Sequence, residues 1–111
     1  MSVQAKAARG FAASGNTAPA DILALVTDPV TGAPITNLNQ DAFAVINHFT
    51  NPGQTCGFSN NIVSFNNVGN GAYRLQVSLV GCNWVPGEFI LQLVVSADGR
   101  TGQAVAKFSI L

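Results

Sequence analysis

From Ala72 to Val80 the apolar side chains fall on every second residue, with Tyr73, Leu75, Val77 and Leu79 alternating with Arg74, Gln76 and Ser78. A period of two places the first set on one face of an extended chain. Phe89, Leu91, Leu93 and Val95 repeat the arrangement. Opposite them lie Ile90, Gln92, Val94 and Ser96, so the outer face of that strand is partly apolar and a covering surface is expected over Ile90 and Val94. Ala104, Ala106, Phe108 and Ile110, set against Lys107 and Ser109, predict a last strand, and Asp98-Gly99 with Gly102 marks a hairpin before it.

Upstream, Ile22 to Val26 and Phe43 to Phe49 read as strands joined through Asp28-Pro29-Val30-Thr31-Gly32-Ala33-Pro34, a tight turn in which Pro fixes φ and Gly permits positive φ. Asn37 to Ala42 suits one helical turn. Ile62 to Phe65 predicts a short strand that Val68-Gly69-Asn70-Gly71 turns into the next. Residues 1–20 are rich in Ala, Ser and Gly and predict a loosely specified arm or a first edge strand, ahead of one domain over residues 21–111. At 111 residues a second independent core is not expected. Seven short strands without long helices between them argue for an all-β fold of two packed antiparallel sheets, because parallel pairing needs crossover segments that the chain lacks.

Val26-Thr27-Asp28-Pro29-Val30-Thr31-Gly32-Ala33-Pro34-Ile35, then Leu38, Phe43 and Val45, then Gly71-Ala72-Tyr73-Arg74-Leu75-Gln76-Val77, resemble the bacterial immunoglobulin-like and macroglobulin-type sandwich domains. The resemblance spans roughly residues 22–111 and implies an immunoglobulin-like sandwich. Its motifs lie at strand and turn positions, so it speaks for fold and hardly for function. Such families are mostly spacers, adhesin modules and assembly parts. The chain departs from antibody-type domains in placing Trp84 in an expected loop and in lacking a tyrosine corner before a second Cys.

Only 9% of the residues are charged and the formal net charge is zero, so neutral polar groups, eleven Asn among them, are expected to dress the surface. Lys6, Arg9, Arg74, Arg100 and Lys107 are scattered, which excludes the electrostatic footprint of a nucleic-acid binder. So little self-repulsion favours association, whereas a secreted domain solubilised by Asn, Thr and Ser has the same composition. No run of about 20 apolar residues crosses a bilayer, and residues 1–15 hold no continuous apolar core of signal-peptide type, so membrane insertion is not expected.

Cys56 lies between the third and fourth expected strands and Cys82 between the fifth and sixth. If successive strands run antiparallel, the loops after odd-numbered strands share one rim, so a Cys56–Cys82 disulfide is geometrically open to the fold. Two unpaired thiols are the alternative. Two Cys and one His fall short of a structural zinc set. A bridge would favour an oxidising destination.

Chemistry is sparse. His48 is the single imidazole, at the end of an expected strand, and reads as a partly exposed histidine holding a hydrogen bond. Asp21, Asp28, Asp41, Glu88 and Asp98 are dispersed in sequence and mostly flank turns, where carboxylates cap backbone amides. Gly69-Asn70-Gly71 lacks the context of a phosphate loop, no acidic run suits calcium, and no Asn-X-Ser/Thr acceptor occurs. No enzyme activity, metal or cofactor is therefore expected. Phe58 and Trp84, each two residues beyond a Cys, are candidate contact anchors in the rim loops, or caps on the core beside the bridge. The leading expectation is a non-enzymatic structural or interaction module that packs against itself or a larger scaffold in an extracellular, cell-surface or virion-type assembly. Its contact surface would be the N-terminal arm with Ile90 and Val94. A carbohydrate-binding or adhesin module using Phe58, Trp84 and the Asn-rich loops is the alternative.

Overall fold

Period-two burial sorts the chain into strands and then into layers. The structure, a computed structural model, describes residues 1–8, 12–49 and 53–111. Arg9 and Phe11 of the expected arm, and Asn51 and Pro52 of the expected third loop, lie outside the described residues. Seven strands form among the described residues: β1 (Ser2–Ala8), β2 (Ala20–Thr27), β3 (Phe43–Phe49), β4 (Ile62–Gly69), β5 (Ala72–Val77), β6 (Gly87–Ala97) and β7 (Arg100–Ile110). Among the described residues a single 3-10 turn, Gln40–Ala42, sits within the segment expected to make one helical turn. All pairings are antiparallel, in a four-stranded sheet β1-β2-β5-β4 and a three-stranded sheet β3-β6-β7. This is the seven-strand order of a constant-type immunoglobulin-like sandwich.

The core is made by the side chains that the alternation turned inward. Ile22, Ala24, Val26, Tyr73, Leu75 and Val77 come from one sheet, and Val45, Phe89, Leu91, Leu93 and Val95 from the other. Each large apolar side chain so enclosed contributes about 1.5–3 kcal/mol, an upper figure because unfolded chains already bury part of it. Phe43, Phe65 and Tyr73 form one aromatic group in this core, with ring centroids 5.1–5.9 Å apart. The Tyr73 hydroxyl donates to Ile35 O at 2.6 Å and accepts from Leu38 N at 3.2 Å. A strand side chain thus ties down the long β2–β3 connection.

Two turns match their sequences. Asn70-Gly71 and Asp98-Gly99 both adopt positive φ at both positions, the geometry that a two-residue hairpin needs to follow the twist of its strands. The strands beside them run longer than expected. β4 continues to Gly69, and β7 begins at Arg100, so Gly102 lies inside a strand instead of in the hairpin. Its role there is space: a Cβ on Gly102 would collide with Met1 O and with Val3 Cγ2. At the other end of its strand, β5 leaves the ladder at Val77, two to three residues early, because Ser78 turns to bond Asn61 O and Thr17 O while Leu79 stays buried.

Of the two expectations for residues 1–20, a loose arm or a first edge strand, the edge strand is found at Ser2–Ala8, and the free arm offered as contact surface is corrected. Ser2–Ala8 pair with β2 along their whole length and pack on β7, where Met1 N donates to Thr101 O at 3.1 Å. The inward side chains Val3, Ala5 and Ala7 are half-buried against the core. A strand committed on two sides is not a free arm.

Gly71 is held more tightly still, with φ +81° and with a built Cβ 2.7 Å from Val26 O and 2.9 Å from Pro34 Cβ. Gly71→Ala combines left-handed strain with a backbone collision, and is expected to lower unfolding free energy by about 2–4 kcal/mol in urea titration.

Candidate functional site

Three places deserve the name of candidate: the loop rim that carries the cysteines, the groove at the opposite end, and the outer face of the β3-β6-β7 sheet.

At the rim, strand alternation does bring the β3–β4 and β5–β6 connections together, and Cys56 and Cys82 form a disulfide with a Cα–Cα distance of 6.4 Å. The bridge links two loops, unlike the inter-strand bridge of antibody domains. Gln54, almost fully buried, fills the space beside it: its Nε2 donates to Cys82 Sγ (3.1 Å) and Asn83 O (2.9 Å), and its Oε1 accepts from Val85 N (3.0 Å). Gln54 carries no signal in the sequence, because a lone amide in a loop belongs to no pattern.

Phe58 and Trp84 are not contact anchors. They are 0% and 1% exposed, which agrees with the reading of these aromatics as caps on the core beside the bridge and corrects the alternative that they meet a partner. Apolar surface of this size is turned inward once the bridge has drawn the loops over the open end of the sandwich. The Trp84 ring stands edge-on to Phe89 and Phe108, and Phe58 packs 5.9–6.5 Å from Trp84, Phe89 and Phe108. Its indole N–H donates to Ala18 O at 2.8 Å, while Trp84 N and O bond Asn16 O and Gly15 N.

At the other end, the β2–β3 connection and the β6–β7 hairpin enclose an open groove that takes in Asp28, Asn37, Asn39, Asp41, Asp98 and Arg100. Three of the five acids, dispersed in sequence, converge here. Asp28 is already engaged: Oδ1 accepts from Val30 N (2.8 Å) and Thr31 N (3.1 Å), and Oδ2 lies 3.4 Å from Arg100 Nη1. Those backbone hydrogen bonds, from Val30 first and Thr31 second, lower the Asp28 pKa, with Arg100 adding a smaller pull. Among the described residues no group of three His, Cys, Asp or Glu could hold a metal ion.

The outer face of β3-β6-β7 collects the side chains that alternate with the core. Ile46 (39% exposed), Gln92 and Val105 (60% exposed) form one row across the strands, and Ala44, Val94 and Gln103 the next. Ile90 lies in the row on the other side, beside Lys107. Ile90 and Val94 are half-buried by their neighbours. His48, left over by a register shift between Asn47 and Phe49, reaches this face, and its Nε2 donates to Gln92 Oε1 at 2.8 Å. Gln92 Nε2 in turn donates to Gln103 Oε1 at 2.6 Å. The charges on this face, Glu88 and Lys107, stand toward one end.

The geometry defines an immunoglobulin-like sandwich with a bridged rim. No family model matches the chain, and neither the curated proteins nor the solved structures contain a match to it. No helix among the described residues is long and apolar enough to cross a membrane.

Two outcomes test the rim and the groove. Closing a loop of this length stabilises by about 3–4 kcal/mol in the chain-entropy account, so the Cys56→Ser/Cys82→Ser pair is expected to unfold at markedly lower urea without a change in strand content by circular dichroism. Because the folded-state pKa of Asp28 is depressed, its contribution is complete above the ordinary aspartate pKa of about 3.9 and is lost as pH falls through the lower folded value. Asp28→Asn should therefore show a shallower loss of stability on the acid side than the parent chain.

Proposed function

We propose that the chain is a non-enzymatic structural or interaction module that works by packing its surface against copies of itself or a larger scaffold. The observation that carries this reading is the outer face of β3-β6-β7, where Ile46, Ile90, Val94 and Val105 lie together on a strand surface free of charge except toward one end. A face of that kind loses little by dehydration.

The edges support the same reading from the other direction, because strand addition to them is hindered. The β3 edge is capped by the Ser59-Asn60 turn, with Asn60 N on Val45 O (2.8 Å), Val45 N on Asn60 Oδ1 (2.9 Å) and Asn47 N on Ser59 Oγ (2.9 Å). β1 and β7 cover one another, and β4 carries two register shifts that bend its edge. Contact is left to the faces.

His48 meets an amide and not a carboxylate, and Asp28 is committed to a turn and to Arg100. Neither arrangement supplies an acid–base pair. The carbohydrate reading loses its support with the burial of Phe58 and Trp84. The disulfide favours an oxidising setting, which suits an extracellular, cell-surface or virion-type assembly.

Sedimentation velocity of the intact chain from about 10 μM to about 1 mM tests the self-packing form. The weight-average sedimentation coefficient is expected to rise with concentration. A value that stays monomeric throughout removes that form of the proposal.

A further inference from the structure

The β3-β6-β7 outer face has a definite self-complementary arrangement, and resting on the packing function above, we propose that its occupant is the same face of a second copy, related by a two-fold axis that runs across the strands through the row Ile46–Gln92–Val105.

Three observations select this face, this occupant and this axis. The first concerns polar groups. Gln92 sits at the centre of the face, where a contact would strip its water away, and an amide dehydrated without partners is costly. Both ends of this amide are bonded within the chain, Oε1 by His48 and Nε2 to Gln103. One donor and one acceptor of Gln92 therefore keep their partners when the central row is covered, which lowers the cost of dehydrating it. The outer face of the other sheet is built differently: Arg74, Asp21 and Gln76 form a solvated ion-pair cluster beside Leu23, with Lys6 paired across from that leucine. Covering it would dehydrate charges.

The second observation is the placement of charge. Rotation about an axis parallel to β6 would set Glu88 over Glu88 of the copy. Rotation about the axis across the strands sends the Ile90–Lys107 row over the copy's Val94–Gln103 row, and the Glu88–Ser109 row over the copy's Ser96–Thr101 row. Lys107 then faces an amide, Glu88 faces hydroxyls, and no like charges meet. Ile46 faces Ile46, and Val105 faces Val105. Two sheets meeting face to face at about 10 Å, with their strands within about 30° of alignment, have this geometry.

The third is area. Three strands about 4.8 Å apart, over about seven residues of 3.3 Å rise, offer a face of roughly 350 Å². That is about half of the roughly 800 Å² per partner of a standard stable interface. The contact belongs to the weak class, in the upper micromolar range, and becomes fully populated when copies are held close together by a scaffold or by tethering.

The axis makes a prediction that neither the other axis nor the other face shares. Val105 is solvent-exposed in the single copy, so Val105→Glu and Val105→Lys are expected to fold as the parent does, which thermal melting checks. Each alone sets like charge against like at the two-fold, and is expected to weaken association seen by sedimentation by more than about tenfold. An equimolar mixture of the two is expected to restore it. Leu23→Glu, on the opposite face, should leave association unchanged. Association of the parent that survives both Val105 variants overturns this face while leaving self-packing intact. Rescue of Val105→Glu by Ile46→Lys instead of by Val105→Lys overturns the axis, and a parent chain that never associates overturns the proposal together with the reading it rests on.

Discussion

Trp84 is the point at which three irregular segments become one structure. Its backbone is bonded to residues 15 and 16, its indole N–H to Ala18 O, and its ring closes over Phe89 and Phe108. Two residues away, Cys82 fastens the same connection to the β3–β4 loop. Without this plug the sheets would be open at the rim and Phe58, Phe89 and Phe108 would meet water. The bridge alone would not suffice, because a disulfide limits the unfolded chain but fills no space. The ring alone would lie on loops with few regular hydrogen bonds. Each makes the other effective, and the buried Gln54 amide joins them by bonding the chain on both sides of Trp84.

The same economy explains how a chain with 9% charged residues satisfies its loops. The asparagines were expected to act as surface dressing, yet many serve as internal ties. Asn16 Oδ1 accepts from Ala13 N and Ala18 N, Asn47 Oδ1 from Phe58 N, and Asn60 Oδ1 from Val45 N. Asn61 Nδ2 donates to Ser78 O and Asn67 Nδ2 to Thr36 O. An amide side chain offers the same donor and acceptor as a peptide group, so it completes backbone bonding where no strand neighbour is available. Among the described residues no buried side-chain nitrogen or oxygen is left without a partner. Low charge here is compatible with a well-determined fold because the polar work is done by neutral groups.

This division also explains what could be read from the chain in advance. Strands with one buried face, such as β5 and β6, were legible because Tyr73, Leu75, Val77 and Phe89, Leu91, Leu93, Val95 carry the period themselves. The loop bridge followed from strand alternation, since the parity of a connection decides its end of the sandwich. β1 was blurred because its inward residues are mostly small, Ala5 and Ala7, and its contact with β7 depends on Gly102, a residue that in isolation marks a turn as readily as a close approach. Phe58 and Trp84 were ambiguous for a related reason. Aromatics in loops are equally suited to a partner and to a plug, and only the position of the facing strands decides. The groove acids illustrate the general limit: Asp28, Asp41 and Asp98 share one end because turns share one end, which spacing along the chain does not express.

The outer face of β3-β6-β7 differs from all of these because its pattern was plain but its meaning depended on hydrogen bonds. Ile90 and Val94 announced an apolar outer row through periodicity alone. Whether such a row invites contact depends on the polar groups between its members, and a Gln at position 92 reads in sequence as a solubilising interruption. In the fold it is the middle of a chain from His48 through Gln92 to Gln103, with one donor and one acceptor already used. An interruption of that kind depends less on water, so it separates the isoleucines and valines on either side less than a fully solvated amide would. The edges of both sheets are meanwhile protected by a turn on β3, bulges on β4 and the β1–β7 contact. Protected sheet edges and an outer face whose central amide is bonded within the chain are then two consequences of one arrangement: many polar side chains here are tied to groups of the same chain.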